Sequence, residues 1–412
     1  MSDSSKIAIT RLGHQGDGIG DGPVYAPRTL PGEVVSGLLS GTQLSDVRIV
    51  TPSDFRVTPP CRHYKSCGGC QLQHASDDFV ADWKVGIVRA ALESHGLEPE
   101  FRALVTSAAQ SRRRATLAVR RTKKAAMSGF HGRASGVITP VPECQLVHPD
   151  ILAAGPLAEE LATMGASRKG ALAVTLTVSD EGLDVAVAGG KPLDGPLRQT
   201  LAQVAQRHRI ARLSWDGEVI AMAASPKQKF GTANVTPPPG AFLQATIEGE
   251  AALVSAVCEI AIGSGQIADL FAGCGTFSLP LAQMGEVMAV EGDSAMMRAL
   301  DLGWRGSTGL KPITTVTRDL FRRPLLRDEL AKFETVVLDP PRAGAAAQVA
   351  ELARGDVGRI AYVSCNPVTF ARDAKTLIDA GYSLDWVQVV DQFRWSVHIE
   401  LVACLTLRNA KK

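Results

Sequence analysis

The stretch Asp269-Leu-Phe-Ala-Gly-Cys-Gly-Thr276 joins an apolar, strand-like run to a helical pattern that begins near Phe277. From there, strand and helix signals alternate towards the end of the chain. The strand-like runs are residues 267–271, 287–291, 313–317, 336–339, 360–364, 386–390 and 399–407. Such alternation is typical of an open parallel sheet with helices on both faces. The sequence therefore predicts a Rossmann-like α/β sheet in the C-terminal part of the chain.

Two further segments precede this sheet, because 412 residues are more than one ordinary domain needs. Residues 6–57 alternate short β-type runs with glycine turns, which is the pattern of a small β-barrel. Residues 101–235 give mixed strand and helix signals, and Pro237-Pro-Pro-Gly240 is the clearest linker. We therefore expect three domains, namely a barrel at 1–58, a β-rich α+β domain at 59–236 and the α/β sheet at 237–412.

The composition is that of a folded protein, with 45% hydrophobic and 21% charged residues. A formal net charge of +2 indicates no particular partner. One basic segment is more informative, although such a run is more often a solvated face than a nucleic-acid site. Its members are Arg112, Arg113, Arg114, Arg120, Arg121, Lys123 and Lys124.

The first residues, Met1-Ser-Asp-Ser-Ser-Lys6, contain no apolar signal core, and no charge-free stretch approaches the length of a membrane span. We expect a cytoplasmic protein without a membrane partner, and nothing in the chain requires more than a monomer. In a reducing compartment, the eight cysteines are expected to be free, metal-bound or catalytic.

The glycine-rich turn is a candidate cofactor site. Gly273 and Gly275 let a ligand approach the backbone closely, and the N-terminus of the following helix favours negative charge. Glu291 ends the next strand, about 20 residues on, where a carboxylate can accept hydrogen bonds from ribose hydroxyls. The alternative is a tight turn beside a surface glutamate. The turn does not have the G-x-G-x-x-G pattern of dinucleotide-binding proteins. Its shorter Gly-Cys-Gly, together with Asp269, suits S-adenosylmethionine better than a dinucleotide.

Three candidate catalytic or binding residues lie at the ends of two predicted strands and in a later strand. Asp339 and Cys365 both end strands at the carboxyl edge, and a polar Ser-Cys-Asn-Pro turn would expose the sulfur of Cys365. A thiolate there could attack carbon 6 of a pyrimidine and make carbon 5 nucleophilic towards an activated methyl group. The C5 proton must then be removed, and Glu400 fits the role of base. The alternatives are a buried apolar cysteine and a solvent-facing glutamate.

A cysteine-rich segment is the third constellation. It reads Cys61-x5-Cys67-Gly-Gly-Cys70, and Cys144 follows later. Three thiols this close, held by two glycines, indicate a metal or cluster site. The spacing leaves zinc and an iron–sulfur cluster open. Since a fourth cysteine would leave no iron open for a radical reaction, we expect the site to be structural.

In this order, the motifs resemble those of the bacterial RNA uracil-C5 methyltransferases, which make 5-methyluridine in ribosomal and transfer RNA. The resemblance spans nearly the whole chain. The matching stretches are Cys61-x5-Cys67-Gly-Gly-Cys-Gln-Leu-Gln-His74, Phe242-Leu-Gln244, Asp269-Leu-Phe-Ala-Gly-Cys-Gly-Thr-Phe-Ser-Leu-Pro280, Asp339-Pro-Pro-Arg342, Ser364-Cys-Asn-Pro-Val-Thr-Phe-Ala-Arg-Asp373 and Asp391-Gln-Phe-Arg-Trp-Ser-Val-His-Ile-Glu400.

The resemblance implies a role for each of these sites. It makes Cys365 the nucleophile and Glu400 the base that removes the C5 proton. The implied contacts of S-adenosylmethionine are Gln244, Phe271, Thr276, Glu291, Asp319 and Asp339. The implied ligands of a [4Fe–4S] cluster are Cys61, Cys67, Cys70 and Cys144. The first segment resembles a TRAM domain, a small RNA-binding barrel, and the C-terminal sheet would be that of a class I methyltransferase. The implied product is 5-methyluridine in 23S ribosomal RNA.

Four alternatives remain open at this point. Transfer RNA could carry the target uridine. RNA cytosine-C5 methyltransferases typically have a second cysteine in the motif that corresponds to Asp339-Pro-Pro-Arg342, and this chain has none there. A radical S-adenosylmethionine tRNA-modifying enzyme would need an open iron. A non-enzymatic RNA-binding protein would leave the cysteine, the carboxylate and the glycine turn without a purpose.

Overall fold

The computed structural model describes residues 6–408. Residues 1–5 and 409–412 lie outside the described part. The expectation that the first six residues contain no signal sequence therefore falls mostly outside the described residues. None of the helices within residues 6–408 is both long and apolar enough to cross a membrane.

A closed five-stranded barrel forms the beginning of the described chain. Gly41 turns the chain between its last two strands at a φ of +58°, a left-handed conformation that glycine adopts without steric cost. Val35 and Leu44 are buried in a small core inside the barrel. The strands are β1 (Ile7–Leu12), β2 (Asp17–Gly20), β3 (Val24–Pro27), β4 (Val34–Ser40) and β5 (Gln43–Thr51), paired in the order β1-β2-β3-β5-β4.

A connecting region follows, with the cysteine-rich segment, α1 (Asp77–Glu93), β6 (Glu100–Phe101) and β7 (Val105–Thr106). Although the sequence places these elements in the central domain, α1 packs Val88 and Leu92 into the core of the C-terminal sheet. β6 and β7 also pair with a strand of that sheet. The amphipathic pattern of α1 shows that the helix has an apolar face, but it does not show which sheet covers that face. The division into three domains stays a prediction. In the structure, α1, β6 and β7 precede the predicted boundary at 236/237 but contact the sheet that follows it.

The central region is a seven-stranded sheet in the order β10-β9-β8-β11-β12-β13-β14, with three helices. Its elements are β8 (Arg114–Arg121), β9 (Ala126–His131), β10 (Ile138–Thr139), α2 (Pro149–Ala153), α3 (Gly155–Gly165), β11 (Ala171–Ser179), β12 (Gly182–Ala188), α4 (Gly195–Arg207), β13 (Arg212–Trp215) and β14 (Glu218–Met222). A hairpin of β15 (Gln228–Phe230) and β16 (Ala233–Val235) follows, and its apolar residues join the core of the C-terminal sheet.

The C-terminal region is a large sheet with an apolar core on each face. Its strands run in the order β19-β18-β17-β20-β21-β23-β22-β6. The elements are α5 (Ile247–Ala261), β17 (Gln266–Leu270), α6 (Ser278–Leu281), β18 (Glu286–Glu291), α7 (Ser294–Arg305), β19 (Ile313–Thr317), α8 (Arg327–Leu330), β20 (Thr335–Leu338), α9 (Ala346–Leu352), β21 (Arg359–Ser364), α10 (Pro367–Asp379), β22 (Tyr382–Asp391) and β23 (Glu400–Leu407).

The expectation of an all-parallel sheet is wrong for one strand. β17 to β21 are parallel to their neighbours among themselves, but β23 runs antiparallel to both β21 and β22. The physical reason is the connection: residues 392–399 join β22 to β23 without a helix, and a parallel pair needs a longer crossover. The inserted antiparallel strand places Glu400, its first residue, beside the carboxyl end of β21.

Candidate active site

One large cavity lies at the carboxyl ends of the parallel strands, where open α/β sheets place their ligands. Its volume is about 630 Å³, which is in the range of small-molecule sites. The structure brings together in its wall all eight residues expected to act in catalysis or cofactor binding. These are Gln244, Phe271, Thr276, Glu291, Asp319, Asp339, Cys365 and Glu400.

The glycine-rich turn forms one wall of the cavity. Phe271 has a φ of +66°, a conformation that is costly for a bulky residue and often found at functional sites. The backbone N–H groups of Phe271 and Ala272 hold it by donating to the Val290 carbonyl, at 2.9 and 3.1 Å. At Gly275, with a φ of +97°, a Cβ atom would lie 2.9 Å from Leu300. Only glycine fits there, so the turn is fixed tightly against α7.

Glu291 and Asp319 lie at the ends of the next two strands. The Glu291 carboxylate accepts hydrogen bonds from the N–H groups of Gly273 (3.2 Å) and Asp293 (2.9 Å), which ties it to the turn. Asp319 uses one oxygen to accept the N–H of Phe321, at 3.0 Å. The Phe321 ring lies 5.5 Å from that of Phe271, and 49% of Phe321 is exposed. This exposed aromatic wall was missed from the sequence.

Two neighbouring carboxyl groups lie at this end of the sheet: Asp339 lines the cavity, whereas Asp269 is fully buried. Burial, followed by the charges of Asp269 and Glu291, raises the pKa of Asp339 to about 7. Burial raises the pKa of Asp269 to about 7 as well. Its Oδ2 accepts the Ser278 hydroxyl, whereas its Oδ1 has no hydrogen-bond partner among the described residues. Groups of this kind are stabilised as carboxylates by a positively charged ligand.

Cys365 lies between the end of β21 and the start of α10. Asn366 caps that helix by accepting the N–H of Val368 at 3.1 Å, and its amide donates to the Arg342 carbonyl at 2.9 Å. The thiol is thereby held against the Asp-Pro-Pro-Arg turn. Burial, then the charges of Glu400 and Asp339, raise the pKa of Cys365 to about 11, and the charge of Arg342 opposes this rise.

Glu400 and Cys365 line the same cavity. The register of β21 and β23 ends with Ser364 opposite Leu401, and Cys365 and Glu400 are the adjoining residues of the two chain segments. Only 3% of Glu400 is exposed. Burial, and then the charge of Asp339, raise its pKa well above the usual value. A carboxyl group in this environment is a much stronger base than an exposed glutamate, which suits proton abstraction.

Gln392 is a buried residue that the sequence did not identify. Its Oε1 accepts the N–H of Ala245 at 2.7 Å, and this fixes the orientation of its amide. Its Nε2 donates to Gln244 Oε1 at 2.5 Å and to Glu400 Oε2 at 3.3 Å. The amide therefore links a residue expected to contact the cofactor with the candidate base. Gln392 belongs to the stretch Asp391–Glu400, which resembles an RNA uracil-C5 methyltransferase motif. A glutamine in a loop does not by itself indicate a functional residue.

Arg342 and His398 complete the wall around Cys365. The Arg342 guanidinium donates to His398 Nδ1 at 2.7 Å, which requires that nitrogen to be unprotonated. Burial, followed by the charges of Arg342, Arg112 and Lys84, lowers the pKa of His398. The ring is therefore a neutral imidazole with Nε2–H available as a donor. Both residues belong to motifs quoted in the sequence analysis, Arg342 to Asp339-Pro-Pro-Arg342 and His398 to the stretch that ends at Glu400. Membership of these motifs is the only sequence signal that could have identified them.

The four cysteines expected as cluster ligands line a second, small cavity of about 20 Å³; they are Cys61, Cys67, Cys70 and Cys144. At Gly68 a Cβ would lie 2.8 Å from the backbone of β9, so glycine is needed for the segment to pack there. The N–H groups of Gly69 and Leu146 donate to the sulfurs of Cys67 and Cys144, both at 3.4 Å. Burial, with the charges of neighbouring cysteines as a smaller cause, raises the pKa of Cys70 to about 12.

Within residues 6–408, no three His, Cys, Asp or Glu side chains converge as ligands of a single metal ion. None of the eight cysteines, all of which lie within the described residues, forms a disulfide.

The basic segment is not one continuous face. Arg113 is buried, and its guanidinium binds the Glu250 carboxylate at 2.5 Å and the Gln244 carbonyl at 3.1 Å. Arg112 lines the large cavity. Lys123 and Lys124 are exposed in the turn between β8 and β9. The segment thus contains one structural ion pair, one residue of the cavity wall and a small exposed basic turn.

Comparison with known proteins identifies the family. A family model described as tRNA (Uracil-5-)-methyltransferase matches residues 312–408. An "uncharacterized RNA methyltransferase" of Rhizobium meliloti is 43% identical over 97% of this chain and 98% of its own length. A 23S rRNA (uracil(1939)-C(5))-methyltransferase of Shewanella sp. is 32% identical, covering 99% of this chain and 96% of its own length. The chain belongs to the RNA uracil-C5 methyltransferase family.

The fold of this methyltransferase has a counterpart among solved structures. A Pyrococcus abyssi tRNA (uracil-54, C5)-methyltransferase, solved in complex with S-adenosyl-L-homocysteine, superposes with a TM-score of 0.76. The match covers 97% of this chain and 99% of that one, at 23% identity, and concerns the fold. The family, the α/β fold and the enzymatic activity, all expected from the sequence, are confirmed.

Proposed function

We propose that this enzyme forms 5-methyluridine in 23S ribosomal RNA, with Cys365 as nucleophile and Glu400 as base. The observation that carries the proposal is that Cys365 and Glu400, which adjoin the paired residues Ser364 and Leu401, lie in the wall of one cavity. Similarity along nearly the whole chain to a 23S ribosomal RNA enzyme supports ribosomal over transfer RNA. The absence of a second cysteine in Asp339-Pro-Pro-Arg342 argues against cytosine as the target base.

The first step is addition of the Cys365 sulfur to carbon 6 of the uracil. A bond forms between sulfur and C6, and the electron pair of the C5–C6 double bond moves to C5, which becomes nucleophilic. Arg342 favours the thiolate, since its charge opposes the rise of the thiol pKa. The target uridine must leave its stack for C6 to reach the sulfur, so base flipping belongs to this proposal.

Glu400 acts in the last step. It takes the C5 proton, the electron pair of the C5–H bond re-forms the C5–C6 double bond, and the bond from C6 to sulfur breaks. Its raised pKa makes it an effective base, and Gln392 holds one of its oxygens. We assign Gln392 the task of orienting the base.

The cavity fits S-adenosylmethionine because its acidic wall suits a cationic ligand and its glycine turn allows close approach. When bound, this cofactor supplies the methyl group that C5 accepts. The residues that would hold it are Gln244, Phe271, Thr276, Glu291, Asp319 and Asp339. Phe321, which lines the cavity beside Phe271, would add an apolar wall.

We propose a [4Fe–4S] cluster at Cys61, Cys67, Cys70 and Cys144. Four thiols around one cavity, two of them accepting backbone N–H groups, form a suitable donor set. A single zinc ion would need its sulfur ligands about 2.3 Å from one point, whereas a cluster binds each thiolate to a different iron. The raised pKa values of Cys67 and Cys70 mean that their thiolates need positive charge nearby.

The barrel would act as a TRAM-type RNA-binding module, and the exposed lysines after β8 would contact phosphates. The expected monomeric state and cytoplasmic location remain predictions.

Nucleoside analysis tests the proposed reaction and its substrate. The purified enzyme is incubated with S-adenosylmethionine and, separately, with unmodified 23S and transfer RNA, and the digested nucleosides are quantified by mass spectrometry. We expect 5-methyluridine in 23S RNA only, and none with Cys365→Ala. Methylation of transfer RNA alone would contradict the assigned substrate, and 5-methylcytidine would contradict the assigned base.

A further inference from the structure

The base loop, residues 392–399, connects β22 to β23 and ends immediately before Glu400. The loop contains no helix or strand of its own, so its position depends on what it touches. Its contacts come largely from elements more than 280 residues earlier in the chain. The position of the candidate base is therefore linked to the N-terminal half of the enzyme.

Trp395, in the middle of the base loop, is tied to the cysteine knuckle, which we define as residues 61–74. The Trp395 carbonyl accepts the backbone N–H groups of Gln71 at 2.8 Å and of Leu72 at 2.9 Å, directly after Cys70. Trp395 has a φ of +59°, a conformation unusual for a bulky side chain. Such strain persists only where the surroundings hold the residue firmly.

The indole of Trp395 provides a second link to the knuckle. Only 7% of this residue is exposed, and it lies in the same apolar core as Cys144. Three of the proposed cluster ligands contact or belong to the core that surrounds the indole. Cys144 is part of that core, and Cys67 and Cys70 pack against it.

Other loop residues are held from the same side. The Lys84 ammonium, fully buried on α1, binds Asp391 at 2.6 Å and donates to the Phe393 carbonyl at 3.2 Å. Arg394 binds Asp77 at the start of α1, at 2.5 Å. Val397 packs with apolar residues of the barrel, the knuckle and α1. The knuckle supplies the contacts in the middle of the loop, at Trp395, and α1 supplies those at Phe393 and Arg394.

We propose that the cysteine knuckle positions the base loop through Trp395, so that the state of the four cysteines controls proton removal from C5. Trp395 is a positioning residue in this scheme, and Glu400 is the group that it positions. Disruption of the knuckle would slow the last step more than it affects cofactor binding or the addition of Cys365, because Glu400 directly follows the loop whereas Cys365 and most of the residues expected to contact the cofactor lie on other elements. The enzyme would then stall as a covalent complex with its methylated RNA. The inference about catalysis rests on the proposed function.

Hydrogen exchange measures the positioning directly and does not depend on activity. In Trp395→Ala, backbone amides of residues 392–400 should exchange at least about tenfold faster than in the wild type. Amides of the cofactor turn at residues 271–276 should be unchanged. Trp395→Phe should restore much of the protection, because an aromatic ring can occupy the same site. Ile220→Ala is the matched control, since Ile220 packs on the same core through β14, away from the knuckle.

Cys70→Ser should produce the same local exchange pattern as Trp395→Ala, since both loosen the contact between knuckle and loop. Unchanged exchange at 392–400 in both variants would overturn the proposal. Equal acceleration in Ile220→Ala would overturn it too, because the effect would then be a general weakening of the core.

Catalysis gives the second readout. Trp395→Ala should lower turnover by about tenfold to a hundredfold, accumulate covalent enzyme–RNA complex on denaturing gels, and bind S-adenosylhomocysteine like the wild type. Lower turnover without covalent complex, together with weaker S-adenosylhomocysteine binding, would contradict a role in proton removal. If the wild-type enzyme makes no 5-methyluridine, the proposed function fails, and the exchange comparison still decides whether the knuckle holds the loop.

Discussion

At the scale of single residues, the burial of Cys365 and the neighbouring charges of Glu400 and Asp339 make a prediction about its reactivity. The rise of its pKa from 9.0 to about 11 lowers the thiolate fraction at pH 8 about a hundredfold. The alkylation rate of Cys365 by iodoacetamide, followed by peptide mass spectrometry, should still be rising at pH 10. A plateau by pH 9 would contradict a thiol pKa raised by burial and by the neighbouring carboxylates.

A positively charged ligand should relieve this effect. The negative charges of Glu400 and Asp339 contribute to the raised thiol pKa. Sinefungin has an amine in place of the sulfonium group, and in the proposed cofactor site this amine should bring positive charge towards these carboxylates. Sinefungin should therefore accelerate alkylation of Cys365 relative to S-adenosylhomocysteine at equal occupancy. Equal rates with the two ligands would show that the carboxylates do not act on the thiol.

Gln392 supports a third prediction at this scale. Gln392→Met keeps the shape of the side chain but removes the hydrogen bond that lowers the pKa of Glu400. The pKa of Glu400 should rise further, so the activity that needs its carboxylate should be lost at a higher pH than in the wild type. We expect kcat to fall about tenfold to a hundredfold. An unchanged acid limb in the pH profile of kcat would show that Gln392 only fills space.

At the scale of helices and strands, some features followed from local sequence and others did not. The bounds predicted for the strand at Ile313–Thr317 are those observed. The ends predicted for β17, β20 and β21 lie within one residue of the observed ends, because these apolar runs end sharply at polar turns. Cys365 and Asp339 could be assigned to one edge because parallel strands end together. The antiparallel β23 and the docking of α1 could not be predicted, since they depend on long-range packing.

The docking of α1 depends on a buried ion pair whose loss should be costly. Lys84 and Asp391 are 0% and 2% exposed, and Lys84→Met leaves the Asp391 carboxylate buried without its partner. We expect a loss of about 3–5 kcal/mol in the free energy of unfolding, measured by urea denaturation. The double variant Lys84→Met/Asp391→Asn removes both charges and should recover much of the loss. A single variant as stable as the wild type would contradict the importance of this contact.

At the scale of the whole molecule, RNA binding should depend on the exposed turn between β8 and β9. The double variant Lys123→Glu/Lys124→Glu should weaken RNA binding and reduce the slope of log affinity against log salt by about 2, with unchanged affinity for S-adenosylhomocysteine. The matched control is Arg298→Glu/Lys332→Glu, which reverses two exposed charges of the C-terminal region. Equal losses in both variants would indicate a general effect of net charge.

The measurement that tests the central claim most directly is the fate of RNA bound to Glu400→Gln. This enzyme should add Cys365 to uracil and methylate C5 but fail to remove the proton, so a covalent complex should survive denaturing electrophoresis. Peptide mass spectrometry should place the methylated nucleotide on Cys365, and Cys365→Ala/Glu400→Gln should form no complex. A Glu400→Gln enzyme that turns over normally, or that forms its complex through another residue, would contradict the account.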